Sequence, residues 1–298
     1  MSVLAVPLVA DTLARLFGAI PAAGVRPHLR FPEIPGRTRE VRVPTRHGEV
    51  ETTVYAPPST PIGVYVNAHG GGFVAGRRTG DDPWCRFLAE HAGVTVVNVE
   101  YALAPRRRFP VPCEQLHDVL RWAAAEWPAT PLCVGGQSAG GSLAAAAARL
   151  SLRDGGPDLA LQVLHYPPLD LVTAARDKPA GRSAVIKPWM GEIFDTAYVP
   201  DVRRRTDPLV SPAWGTNGDG IEGIAPAVVV TAELDRLRAE AVAYAGKLAA
   251  ASALVEHRDV AGVDHGYNLL GASAELTREL YGFLAGHVRR AVTGGSVR

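Results

Sequence analysis

The chain has 298 residues, enough for one large α/β domain or two small ones, and 47% of them are hydrophobic, so a substantial core can be buried. Lys and Arg number 31 against 30 Asp and Glu, a balance that excludes any global attraction to nucleic acid or an anionic membrane. Cys85, Cys113 and Cys133 cannot all pair and have no C-x-x-C spacing, which argues against a disulfide framework or a zinc site.

Residues 1–24 read as one or two amphipathic helices, with Leu4, Leu8, Leu13, Leu16, Phe17 and Ile20 on one face and Pro21 and Gly24 at the end. No Lys or Arg precedes the apolar run Val3 to Ala10, and Asp11 and Arg15 interrupt it. A secretory leader is therefore not expected, and the cytoplasm is the expected compartment. No apolar run has the length of a membrane span. After a connection containing Pro27, Pro32 and Pro35, Thr38 to Val43 and Glu49 to Tyr55 predict a hairpin around His47-Gly48. Ile62 to Ala68 predicts a buried strand that runs directly into His69-Gly70-Gly71-Gly72.

A helix from Trp84 to Ala92 and a strand from Val94 to Val99 follow. A loop through Tyr101 and Pro105 then leads to a helix from Glu114 to Trp127. The next strand ends at Gly135, and an Ala-rich helical pattern runs as far as Arg153. Leu159 to Tyr166 predicts another strand. Residues 171–206 break the rhythm with Pro179, Gly181, Pro188 and Gly191, and read as an inserted cap segment. Ala227 to Thr231 and Leu254 to Val260 predict strands, each followed by a helix, Leu237 to Ala251 and Ala272 to Val292; Gly215 to Gly223 reads as a surface loop. Buried strands alternating with helices predict an α/β fold, a mostly parallel sheet with helices on both faces.

The chemistry centres on Gly136-Gln137-Ser138-Ala139-Gly140. A strand, a sharp turn and a helix put Ser138 at the apex, and small residues must flank a turn so strained. The helix behind it offers free N–H groups and the positive end of a dipole. A serine hydroxyl needs a base, an orienter for that base and donors for an oxyanion. In enzymes built on this turn, an acid and then a histidine follow the serine, each at a strand's carboxyl end. His257 sits within a strand pattern, His287 lies down the terminal helix, and His165 adjoins Tyr166-Pro167. His265 alone occupies a loop just after a strand, between Gly262 and Tyr267. Asp235 follows the strand that carries Val228 to Val230, with Glu233 as its competitor; Asp264 adjoins His265 too closely to face it. Gly71 and Gly72, with the N–H of Ala139, are the candidate oxyanion donors. His69 is expected to brace its own loop. Neither a phosphate-binding G-x-x-x-x-G-K-[ST] nor a dinucleotide G-x-G-x-x-G motif is present.

These stretches resemble the hormone-sensitive-lipase-like esterases of the α/β-hydrolase fold. The resemblance rests on His69-Gly70-Gly71-Gly72, Tyr101-Ala102-Leu103-Ala104-Pro105, Gly136-Gln137-Ser138-Ala139-Gly140-Gly141, Tyr166-Pro167-Pro168-Leu169-Asp170, Asp207-Pro208-Leu209-Val210-Ser211-Pro212, Asp235-Arg236-Leu237-Arg238 and Asp264-His265-Gly266-Tyr267. It implies a single domain over 1–298 with an eight-stranded sheet, and a helical cap from about 1–36 and about 171–206. It implies ester hydrolysis without metal or cofactor, with Ser138 as nucleophile, His265 as base, Asp235 as its orienter, and Gly71, Gly72 and Ala139 as oxyanion donors. Two positions depart from the family pattern: Gln137 stands where Asp or Thr is usual, and Ala239 where an acidic residue is usual.

The expected reaction is acyl transfer to water through an acyl-enzyme, on short- to medium-chain esters. Leu16, Phe17, Phe73, Trp189, Phe194 and Trp214 are candidate pocket walls, with core packing as the plainer reading of each. The same apparatus would also serve an amidase or formamidase, or an acyltransferase; a receptor without catalysis normally lacks a triad member. The expected partner is a small ester, with no nucleic acid and no membrane span. Relatives often pair through the edge strand or terminal helix, so Leu276, Leu280 and Phe283 read either as a homodimer contact or as core.

Overall fold

Five short runs are buried from end to end: β3 (Val64–Ala68), β4 (Thr95–Val99), β5 (Leu132–Gln137), β6 (Leu161–His165) and β7 (Ala227–Ala232). Such continuous burial is the mark of parallel strands covered on both faces. In the computed structural model they form the centre of one eight-stranded sheet, ordered β1-β2-β4-β3-β5-β6-β7-β8. One edge is the hairpin of β1 (Thr38–Thr45) and β2 (Gly48–Tyr55), with β2 antiparallel both to β1 and to β4. The other edge is β8 (Leu254–Val260), whose residues are mostly half-buried or exposed. The structure describes residues 2–19, 25–179 and 184–294. Ile20, Pro21, Gly24 and Gly181, which the sequence assigns to the end of the first helix and to the cap segment, lie outside them.

Eight α-helices are found among the described residues: α1 (Pro7–Ala19), α2 (Asp82–Ala92), α3 (Val111–Glu126), α4 (Ala139–Asp154), α5 (Pro188–Tyr198), α6 (Arg238–Ala250), α7 (Tyr267–Leu270) and α8 (Ala274–Val292). Two apolar clusters separate them into layers. Leu116 and Val119 of α3, Leu143 and Ala147 of α4 and Tyr244 and Leu248 of α6 pack on one face of the sheet. Leu88 of α2 and Leu280, Leu284 and Val288 of α8 pack on the other. Leu280 is thus core, and Leu276 and Phe283 pack against the same cluster, the second of the two readings open to them. Cys85, Cys113 and Cys133 are all buried free thiols. No described helix is long and apolar enough to cross a membrane.

Helix ends explain most differences from the sequence expectation. Helices α2 and α3 begin two and three residues earlier than expected because Pro83 and Pro112 sit in their first turns, where a missing N–H costs nothing. Helix α2 stops where Gly93 takes a left-handed φ of 73° and donates back to Ala89. The four-residue α7 was not expected at all; it is too short to show a helical period.

Candidate active site

Strand β5 leads into α4 through a residue in a conformation few side chains tolerate: Ser138 has φ 54° and ψ −126°. The turn is pinned by its own backbone, since Ser138 N–H donates to the His165 carbonyl at 2.9 Å and Gly141 N–H donates to the Ser138 carbonyl at 2.9 Å. The flanking glycines are required by packing. A Cβ at Gly136 would lie 2.3 Å from the Ala68 carbonyl oxygen, and one at Gly140 only 1.9 Å from it. The strand carrying the His69–Gly72 loop can therefore press directly against the serine turn.

His265 lies over that turn. Its Nε2 is 2.9 Å from Ser138 Oγ and its Nδ1 is 2.7 Å from Asp235 Oδ2, so one buried imidazole bridges the hydroxyl and the carboxylate. Asp235 is 3% exposed, and its other oxygen accepts from the Leu237 N–H at 3.0 Å. The rival residues are engaged elsewhere. Glu233 accepts from the Gly262 N–H at 2.7 Å, and Asp264 accepts from His265's own N–H at 2.6 Å. His257 pairs with the Thr231 hydroxyl at 2.9 Å. His165 pairs with the Tyr267 hydroxyl at 2.6 Å, and burial pushes its pKa down to about 3, keeping it neutral. His287 lies on α8 beside Glu256.

The glycine loop after β3 abuts the serine: a Cβ on Gly70 would lie 3.5 Å from Ser138 Cβ. Gly71 adopts φ 133° and Gly72 φ 60°, both in the range that favours glycine. Among the described residues, the N–H groups of Gly71, Gly72 and Ala139 have no hydrogen-bond acceptor. His69 braces the loop from below. Its Nδ1 contacts the Gly70 carbonyl at 2.7 Å, its ring stacks on Tyr101 at 4.3 Å, and the Tyr101 hydroxyl donates to the His69 carbonyl at 2.7 Å. Burial holds the His69 imidazole below its ordinary pKa.

Above this loop α1 packs on α5, with Phe17 5.8 Å from Trp189 and 5.6 Å from Phe194 between ring centroids. The Phe194 ring sits close enough that a Cβ on Gly72 would meet it at 2.5 Å. Phe73 is buried and stacks on Tyr198 at 4.0 Å. Leu16 instead faces solvent. Trp214 is not part of this cluster: its loop is held by Arg149 of α4, which donates to the Asn217 carbonyl, and Lys247 of α6, which donates to the Gly215 carbonyl. The segment before α5 is tied to the acid and base loops. Arg236 donates to the carbonyls of Ala175, Lys178 and Ile186 at 2.9–3.0 Å, and Asp264 accepts from the Val185 N–H at 2.9 Å.

Several neighbours of the site were given no role by the sequence. Tyr166, at φ 40°, sets its ring edge-on to His265, with 4.7 Å between centroids. Gln137, Asn268 and Asp81 are polar side chains buried beneath the serine turn.

Comparisons with known proteins identify the family and the fold. A family model described as the alpha/beta hydrolase fold matches residues 65–269. The carboxylic ester hydrolase LipN of Mycobacterium tuberculosis is 32% identical over 279 residues, covering 87% of this chain and 73% of that protein. An ethyl acetate hydrolase of Pseudomonas putida is 32% identical over 251 residues, or 79% of this chain and 77% of that one. The structure of an esterase from Pyrobaculum calidifontis superposes with a TM-score of 0.79 at 28% identity, over 97% of this chain and 93% of the other. The chain belongs to the hormone-sensitive-lipase-like esterases of the α/β-hydrolase fold, and its activity is carboxylic ester hydrolysis.

Proposed function

We propose that Ser138, His265 and Asp235 act as a catalytic triad that hydrolyses short- to medium-chain acyl esters through an acyl-enzyme. The observation that carries this reading is the single imidazole bonded through Nε2 to Ser138 and through Nδ1 to Asp235. His265 takes the Ser138 proton as Oγ attacks the ester carbonyl, and Asp235 fixes the tautomer and stabilises the imidazolium. The imidazolium then returns that proton to the departing alkoxide. Water, deprotonated by the same base, attacks the acyl carbon and releases the acid, leaving Ser138 protonated again. The vacant N–H groups of Gly71, Gly72 and Ala139 serve the oxyanion of both tetrahedral intermediates.

The layer of α1 and α5 acts as a cap, and its Phe17, Trp189 and Phe194 rings bound the acyl pocket. The similarity to an ethyl acetate hydrolase supports a small acyl group. Hydrolysis of p-nitrophenyl esters from acetate to palmitate tests the reading, alongside labelling of Ser138 by a fluorophosphonate. Turnover should peak at short chains, and the label should map to Ser138. A peak at palmitate would refute the pocket size, and an unlabelled Ser138 in an active protein would refute the nucleophile.

Gly71→Val tests the oxyanion assignment. A Cβ there would lie 1.9 Å from the Ala75 carbonyl oxygen at a φ that valine avoids, so the loop must shift its amides. Loss of one donor typically costs about 10²–10³ in kcat, and a loss of that size is expected. Gly80→Ala, where a Cβ meets nothing within 4 Å, is the control and should leave kcat unchanged. Full turnover in a folded Gly71→Val enzyme would remove Gly71 from the assignment.

A further inference from the structure

Beneath the serine turn runs a buried chain of polar side chains whose hydrogen-bond polarity is set from one end. Asn98 Nδ2 donates to the Arg78 carbonyl at 2.8 Å, so its Oδ1 is free to accept from Asn67 Nδ2 at 3.0 Å. Asn67 Nδ2 also donates to Asp81 Oδ2 at 2.9 Å. The other Asp81 oxygen accepts from Gln137 Nε2. That fixes the Gln137 carbonyl on the far side, where the Tyr166 hydroxyl reaches it at 2.6 Å and Asn268 Nδ2 at 2.8 Å. Asn268 also donates to the Tyr281 hydroxyl at 3.0 Å, anchoring α7 to α8.

The two ends of the Gln137 carboxamide thus touch two different parts of the site. Gln137 itself immediately precedes Ser138. Asn268 lies three residues after His265 in the same loop and helix, and the Tyr166 ring borders the His265 ring. We propose that Gln137 is a positioning residue whose carboxamide, keyed to Asp81 on one side and to Tyr166 and Asn268 on the other, holds the Ser138 turn and the His265 loop in register. The inference rests on the triad reading and adds to it a reason for glutamine at this position. A carboxylate there would present acceptors to the Asp81 carboxylate, and the Asp81–Gln137 bond would be lost.

The titratable groups around Asp81 are Tyr65 from β3, Cys85 from α2, Tyr101, Tyr166 after β6 and Tyr281 from α8. Burial pushes all five upward, so none is ionised near neutrality. Burial also pushes the Asp81 carboxyl up to about 7, against the lowering effect of its donors Asn67 and Gln137.

An exchange of the two groups tests the proposal. In Asp81→Asn the new oxygen stays with Asn67, so its amino group faces Gln137 Nε2, donor against donor. In Gln137→Glu two carboxyls face each other and must share one proton. Each single variant should lower kcat for p-nitrophenyl acetate by about 10- to 100-fold with KM within about threefold, the pattern of lost transition-state stabilisation. Asp81→Asn with Gln137→Glu restores one donor and one acceptor in every bond, and kcat should return to within about threefold of the parent.

The pH profile separates positioning from mere folding. Gln137→Glu needs the shared proton, so its kcat should fall as pH rises from 8 to 10, where the parent's Asp81 is already ionised and the parent and the double variant stay level. Parental kcat in both folded single variants, or a double variant no better than either single, would overturn the proposal. If neither single variant folds, Tyr166→Phe decides, because it removes the hydroxyl set between the Gln137 carbonyl and Asn268 Oδ1, the link from Gln137 to the His265 loop. A kcat drop of about fivefold or more is then expected, and an unchanged kcat overturns the proposal. Fluorophosphonate labelling distinguishes the two readings. An active parent that is not labelled at Ser138 fails the triad itself, whereas equal labelling rates in parent and folded single variants fail only the role of Gln137.

Discussion

Ser138→Ala should lower kcat for p-nitrophenyl acetate by about 10⁶-fold, the size of loss seen when a hydrolytic serine is removed from its triad. Alanine keeps the Cβ, so the strained φ and ψ of the turn are held no less readily than with serine. The backbone bonds to His165 and Gly141 do not involve the side chain. Only Oγ disappears, the atom proposed to carry the acyl group. The melting temperature should stay within a few degrees of the parent, and mass spectrometry after fluorophosphonate treatment should find no adduct. Residual turnover above one part in a hundred, in protein free of parent enzyme, would place the nucleophile elsewhere.

The second large effect is expected at Asp235→Asn, with kcat lower by about 10⁴-fold. Asp235 Oδ1 accepts from the Leu237 N–H, and an asparagine keeps its oxygen there. The amino group is then turned toward His265 Nδ1, where it can only donate. His265 must answer with an unprotonated Nδ1 and a protonated Nε2, which faces Ser138 as a donor and cannot take its proton. The geometry survives and the tautomer is wrong. Glu233→Gln is the matched control: it keeps an acceptor for the Gly262 N–H and should stay within about threefold of parental kcat. Comparable losses in both variants would mean that the acid had been misassigned between neighbours two residues apart.

What could be read from sequence and what could not divide along range of contact. The glycine loop and the serine turn were legible because their constraints are local and steric: a residue with a Cβ at 136 or 140 collides with the next strand's backbone. Asp235 and His265 were legible by order and by strand ends, although Glu233 and Asp264 stood beside them with the same chemistry. Only the folded geometry shows that each of those carboxylates has a backbone N–H of its own. The buried chain below the turn was illegible. Gln137 meets Asp81 across 56 residues and Asn268 across 131, and no periodicity links such positions. Trp214 reads in sequence as a candidate pocket wall, and the hydrogen bonds found around it tie its loop to Arg149, Lys247 and the Leu169 carbonyl.

The ties made by Arg236 and Asp264 bear on engineering. These residues are the immediate chain neighbours of Asp235 and His265, and between them they reach the backbone at positions 175, 178, 185 and 186. A segment transplanted from another esterase to change substrate range would have to present three carbonyls to the guanidinium and one N–H to the carboxylate. A graft without them would leave a half-buried cation beside Asp235, competing with His265 Nδ1 for its carboxylate. The segment is thus not an interchangeable module, and recombination libraries should cut inside the tethers rather than at the ends of the insertion.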